Sequence, residues 1–146
     1  MPDFSLPVTG GGNWRRKDAA GKKLVIYFYP KDMTSGCTRE SQEFRDRFPA
    51  LRKAGTQILG VSRDSIASHE KFKLREKLPF ELLADVDEKV CKLFDVIREK
   101  SMYGRKYLGV ERSTFLFDAA GVLRREWRKV KVPGHAEEVL EAAQSV

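Results

Sequence analysis

Cys37 and Cys91 are the only thiols in a chain of 146 residues, and the first stands where a thiol can be made reactive. The apolar run Leu24, Val25, Ile26, Tyr27, Phe28, Tyr29 stops at Pro30, and Cys37 follows after six further residues. Ser41, Phe44, Phe48 and Leu51 then fall at helical spacing from it. This reads as a buried strand, a turn, and a helix whose first turn carries the sulfur. Helix N-termini present unpaired N–H groups and partial positive charge, which favour a thiolate. The thiolate is the nucleophile, yet a free cysteine with pKa ~8.5 is only about 3% ionised at pH 7. Ionising roughly 90% of it requires a pKa of ~6, or about 3.4 kcal/mol of differential stabilisation. Thr34 is the natural hydroxyl donor, three residues before the sulfur. Cys37 and Glu40 have capping-box spacing, with sulfur in the oxygen's place. Thr34, Ser35 and Cys37 are all possible N-caps, and an inert cysteine on a buried helix face fits the same pattern equally well.

The elements that must position this thiol follow from hydrophobic patterning. Residues 1–22 are rich in Gly, Pro and Lys and read as a short edge element and a loop. Residues 23–29, apolar on both faces, belong in the middle of a covered sheet. The helix from about 37 to 54 is expected to kink near Arg45–Phe48, because Pro49 removes an N–H and crowds the preceding turn; Ala54 and Gly55 end it. Thr56–Val61 is the second strand, residues 65–76 a charged surface helix, and Phe80–Ala84 the third strand. Asp85 or Asp87 caps a helix over 87–96 whose Val90, Leu93 and Phe94 share a face. Residues 97–109 read as a loop with a short strand. Arg112–Phe117 and Val122–Val130 form a hairpin around Asp118–Gly121, and a last helix covers about 135–144. Alternating strands and helices imply a parallel core covered on both faces, with antiparallel edges from the terminal hairpin. The fold class is α/β: a thioredoxin-like fold with a central mixed sheet flanked by helices, built as one domain over residues 1–146. Its function belongs beyond the carboxyl ends of the central strands, where Pro30–Cys37 falls.

Composition narrows the chemistry. No apolar run approaches ~20 residues, so no membrane span is expected. The start, MPDFSLPVTGGG, lacks a secretory pattern, which points to the cytoplasm. Two cysteines and two histidines make neither a disulfide framework nor a metal centre, and no cofactor is implied. The net charge is +7. Arg124, Arg125, Arg128, Lys129 and Lys131 cluster around Trp127, but one tryptophan is no stacking platform for a single strand; a solvated strand face is expected instead of a nucleic-acid partner. His69 and His135 read as incidental to the chemistry.

Contiguous motifs sharpen the reading of Cys37. YFYPKDMTSGCTRE resembles the peroxidatic loop of peroxiredoxins, in which Pro, Thr and Cys recur at the spacing of Pro30, Thr34 and Cys37. LVIYFYPKD, FRD at 44–46, ILGVSRDS, MYGRKYLGVERSTFLFD and WRKVKVPGHAEEVL extend the resemblance to the peroxiredoxin Q, or bacterioferritin comigratory protein, subfamily over nearly the whole chain. It fails only around residues 8–20. The resemblance implies that Cys37 attacks a hydroperoxide and becomes a sulfenic acid, that Thr34 hydrogen-bonds sulfur and peroxide, that Pro30 shields the pocket, and that Arg112 holds the thiolate and steadies the peroxide. Glu40 matches a common family position, as support for the loop. Ser35 stands where the family usually has proline.

Turnover departs from the family pattern. A resolving cysteine would stand at Gln42 or Lys73, and neither position holds sulfur. Cys91 remains, either as a small buried hydrophobe or as an unconventional resolving thiol. A one-cysteine cycle is therefore expected, with an external reductant such as thioredoxin or a glutathione–glutaredoxin system, in a monomer or weak dimer. Two other classes compete. A dithiol–disulfide oxidoreductase needs sulfur where Thr34 stands, and a non-catalytic binding or chaperone-like module would not need Pro30, Thr34, Cys37 and Arg112 together.

Overall fold

The computed structural model describes residues 1–146, and its sheet is organised around the apolar strand before Cys37. Two short strands, β1 (Ser5–Pro7) and β2 (Asn13–Arg15), pair antiparallel; a 3-10 turn at Arg16–Ala19 leads into β3 (Lys23–Phe28). Next come α1 (Ser35–Lys53), β4 (Thr56–Ser62), α2 (Ile66–Glu76), β5 (Glu81–Ala84) and α3 (Lys89–Leu93). The chain finishes with β6 (Ile97–Met102), β7 (Arg105–Val110), β8 (Ser113–Phe117), β9 (Leu123–Trp127) and α4 (His135–Ser145).

The central sheet has the order β5-β4-β3-β8-β9. β3, β4 and β5 are parallel, while β8 runs antiparallel to β3 and β9 to β8. This is the mixed α/β sheet expected from the element order. Strand alternation splits the core in two. Leu24, Ile26 and Phe28 face a cluster holding Trp14, Val90, Cys91 and Phe94. Val25, Tyr27 and Tyr29 face Cys37, Phe44 and Leu51 of α1, Phe72 of α2, and Val139 and Leu140 of α4. Three long helices thus cover one face; the N-terminal strands and short α3 cover the other. The two cysteines lie on opposite sides of the sheet.

Local packing fixes α1. A Cβ at Gly60 of β4 would lie 2.9 Å from Tyr27 Cζ and 2.7 Å from a Leu82 methyl, so the glycine makes room for the Tyr27 ring. That ring stacks on Phe44 at 4.8 Å, and its hydroxyl meets Ser41 Oγ at 2.8 Å. Strand β3 thereby grips the helix one turn beyond Cys37.

Several sequence expectations need correction. Pro49 lies inside α1 and does not interrupt it; the cost is the one hydrogen bond that an N–H at position 49 would have made to the Arg45 carbonyl. α3 is shorter than 87–96, because Glu88 (φ 62°) and Asp95 (φ 56°) take left-handed conformations on either side. Asp85 does cap it, accepting from the Val90 and Cys91 N–H groups at 3.2 and 2.7 Å. Leu93 points outward at 51% exposure, and Cys91 takes its expected place on the buried face. Residues 97–109 are a two-stranded hairpin rather than a loop, turned by Tyr103 (φ 52°) and Gly104 (φ 76°), the paired positive φ values of a type I′ turn. The 65–76 helix is not only a surface element: His69 and Phe72 are fully buried.

Candidate active site

The site forms where the carboxyl end of β3 meets the amino end of β8. Antiparallel pairing sets Phe28 opposite Ser113, so Arg112, immediately before β8, is delivered beside the loop that leaves β3. Pro30 is half-buried at the start of that loop.

Thr34 is the N-cap residue of α1 in extended conformation (φ −84°, ψ 155°), and Cys37 is the third helical residue. The first intrahelical bond is Thr38 N–H to the Thr34 carbonyl, 2.9 Å. The N–H groups of Ser35, Gly36 and Cys37 precede it and have no partner within the helix, as helix geometry requires. Thr34 caps through its backbone alone. The resemblance implies a hydrogen bond from its hydroxyl to the sulfur; the hydroxyl donates instead to the Lys31 carbonyl at 2.8 Å.

The thiol is only 1% exposed. Arg112 Nη2 donates to Cys37 Sγ at 3.5 Å, and Nη1 of the same guanidinium donates to Glu40 Oε1 at 2.6 Å. Arg112 is therefore committed to the site rather than paired with its neighbour Glu111, whose carboxylate instead meets Arg98 at 3.7 Å. Gly36 permits the approach, since a Cβ there would stand 3.2 Å from Nη2. Glu40 is buried on the same helix, with Oε2 lacking any partner. Burial pushes its carboxyl up to about 7 against the pull of the Arg112 charge. The carboxylate anchors the guanidinium instead of completing a capping box. Lys100 of β6 also reaches this region: burial, and then repulsion from Arg112, lower its pKa, while the Cys37 thiolate opposes that fall. Nothing in the polar sequence of β6 had marked it.

Both histidines are held in buried hydrogen bonds. His69 is fully buried, with Nδ1 2.8 Å from Asp32 Oδ2 and Nε2 2.9 Å from the Leu83 carbonyl. Its three-residue spacing from Phe72 was the available signal. His135 Nε2 lies 2.8 Å from Thr114 Oγ1 and its ring packs edge-on to Phe44, with burial lowering its pKa to about 4. It is held neutral as a packing element.

Cys91 is fully buried across the sheet, and burial followed by the adjacent Asp85 carboxylate raises its thiol pKa strongly. The two positions where the family pattern places a resolving thiol carry polar contacts: Gln42 donates to Glu76 at 2.8 Å and Lys73 to Glu81 at 2.7 Å. The basic cluster near Trp127 is largely tied up, with Arg124 on Asp118, Arg125 over the Trp127 ring, and Arg128 on the Phe94 and Asp95 carbonyls. No helix is long and apolar enough to cross a membrane.

The site is thus a buried thiol at a helix N-terminus, held by a fixed cation. Comparisons with known proteins place the chain in a family. The family model described as AhpC/TSA matches residues 1–126. Peroxiredoxin Bcp of Xanthomonas campestris pv. campestris is 51% identical over 140 residues, covering 96% of this chain and 88% of the relative. Peroxiredoxin Bcp of Bacillus subtilis is 47% identical, covering 96% and 89%. A solved structure of the Xanthomonas campestris bacterioferritin comigratory protein, described in terms of its alkyl peroxide reduction activity, superposes with a TM-score of 0.92 at 49% identity, covering 97% of this chain and 90% of that one.

Proposed function

The chain belongs to the AhpC/TSA family, among its Bcp-type (peroxiredoxin Q) peroxiredoxins, and we propose that it reduces hydrogen peroxide and organic hydroperoxides through Cys37 in a one-cysteine cycle. The observation that carries this reading is the forked Arg112 guanidinium, joined at once to the Cys37 sulfur and to the buried Glu40 carboxylate. In the first step a lone pair of the Cys37 thiolate forms an S–O bond to the terminal oxygen of R–O–O–H. The O–O bond breaks, the departing RO⁻ takes up a proton as ROH, and the sulfur is left as sulfenic acid. Charge develops on the departing oxygen, where donors already in place lower the barrier most. Arg112 Nη2 and the unpartnered first-turn N–H groups are those donors. The Thr34 hydroxyl, its hydrogen held by the Lys31 carbonyl, offers its oxygen to accept the peroxide O–H. Pro30 walls the base of the loop.

The second step takes an external thiol. R′SH attacks the sulfenic sulfur, water leaves, and a mixed disulfide forms; a second R′SH releases Cys37 as the thiol and departs as R′SSR′. What supports an external reductant is the placement of Cys37 and Cys91 in separate clusters on opposite faces of the sheet, so that a bond between them would require dismantling the core. Thioredoxin and a glutathione–glutaredoxin system are the two reductant classes, acting in a reducing compartment such as the cytoplasm on a monomer or weak dimer.

The test is peroxide consumption with each reductant for the parent, Cys37→Ser and Cys91→Ala. The expected result is no turnover in Cys37→Ser and parental turnover in Cys91→Ala. Equal rates in the parent and Cys37→Ser remove the peroxidase reading.

A further inference from the structure

Between Pro30 and Thr34 the loop that carries Cys37 makes a set of buried bonds that the chemistry above does not use. The Asp32 carboxylate, 1% exposed, accepts from Tyr29 Oη at 2.6 Å and Ser68 Oγ at 2.8 Å, and it meets His69 Nδ1 at 2.8 Å. Its own N–H donates to Asp64 Oδ2 at 2.9 Å. One loop residue is thereby tied to the residue just after β3, to the turn after β4, and to α2. The Leu83 carbonyl can only accept, so His69 Nε2, 2.9 Å away, carries a hydrogen. The remaining contact, Nδ1 to Oδ2, then holds one proton between two buried groups, a hydrogen bond with no solvent to compete for it. Immediately after Asp32 the backbone turns through Met33 at φ 64°. A non-glycine residue persists in that conformation where its surroundings over-determine it.

This matters because the closed loop serves only half of the cycle. Cys37 at 1% exposure suits a small hydroperoxide, but a protein thiol cannot reach its sulfur unless the loop opens. We propose that Asp32 and His69 form a latch: positioning residues that hold the Cys37 loop closed for peroxide attack and whose release admits the reductant. The functional part of this proposal rests on Cys37 being the attacking thiol; the structural part does not.

Two substitutions of one side chain separate the latch from general packing. In His69→Asn the amide nitrogen takes the place of Nδ1 and can still donate to Asp32. In His69→Gln it takes the place of Nε2, keeping the Leu83 bond and losing Asp32. The full chain is treated with N-ethylmaleimide, and alkylation of Cys37 is read against Cys91, which lies buried across the sheet and reports global unfolding. Alkylation of Cys37 in His69→Gln is expected to rise about 10-fold, the factor carried by one lost buried hydrogen bond, with Cys91 unchanged. His69→Asn is expected to restore most of the protection. In stopped-flow single turnovers, His69→Gln is expected to slow peroxide attack while speeding reduction of the preformed sulfenic acid by a protein thiol, whereas a merely structural lesion slows both. Equal Cys37 protection in parent and His69→Gln, a parallel rise at Cys91, or identical behaviour of Asn and Gln overturns the latch. If no form of the protein consumes peroxide, the peroxidase reading fails while the alkylation ratio still decides the latch.

Discussion

Replacing Glu40 by Gln isolates the energetic consequence of building the site on a buried acid. Burial raises the Glu40 carboxyl from 4.5 to about 7, with Arg112 opposing that rise. Between those two pH values the unfolded chain has released the proton and the folded protein still holds it. Folding is thus linked to proton uptake, and stability falls as pH rises through the window. At about 1.4 kcal/mol per tenfold change in the equilibrium constant, the separation amounts to about 3 kcal/mol. Glutamine leaves an oxygen to accept from Arg112 Nη1 but cannot ionise, so its stability lacks this dependence. Urea unfolding of both proteins at intervals from about pH 4 to 8.5 measures it. The stability of Glu40→Gln relative to the parent is expected to climb by about 3 kcal/mol from low pH to the plateau above pH 7. Parallel curves for the two proteins would show that the buried carboxylate carries no such cost and refute the reasoning. The comparison must be made between variants, because His135 pulls the parent's own curve the other way.

Three further variants have expected outcomes. Burial lowers His135 from 6.5 to about 4, so the unfolded chain binds the proton first and the parent loses stability as pH falls through that window; His135→Gln is expected to flatten this acid limb in the same urea series. Arg112→Met removes a fixed donor at the sulfur and is expected to cost roughly 10²–10³ in the rate of peroxide attack, read by stopped-flow single turnover. It also removes the charge that holds Glu40 down, so the Glu40 window is expected to extend to higher pH in the unfolding series. Gly36→Ala sets a methyl 3.2 Å from Arg112 Nη2 and is expected to slow peroxide attack with little loss of stability, measured by the same two assays.

The parts of the fold written in local periodicity could be read directly. The unbroken run Leu24–Tyr29 announced a central strand, and Cys37, Ser41, Phe44 and Leu51 announced the helix with its thiol in the first turn. Arg112 is of another kind: it stands 75 positions from Cys37 in the chain, and only the antiparallel β3–β8 register brings the two together, so the residues pointed to it solely through resemblance to a family. The β6–β7 hairpin escaped because its strands are exposed over most of their length and offer no alternation of apolar and polar residues; the Tyr103-Gly104 turn was the one local cue. His69 escaped because the charged residues of Ile66–Glu76 outweigh its single buried stripe with Phe72. The direction of the Thr34 hydroxyl depends on the path of the loop through Asp32 and Met33, which no spacing encodes.

The central claim is that Cys37 alone carries the oxidising equivalent, and it is tested most directly by following the sulfur. The full chain is exposed to a stoichiometric amount of hydroperoxide in the presence of dimedone and mapped under non-reducing conditions by mass spectrometry. The account predicts a dimedone adduct on the Cys37 peptide, marking sulfenic acid, with Cys91 recovered as a free thiol. A stoichiometric Cys37–Cys91 disulfide, or an unmodified Cys37 after the peroxide has been consumed, would contradict it.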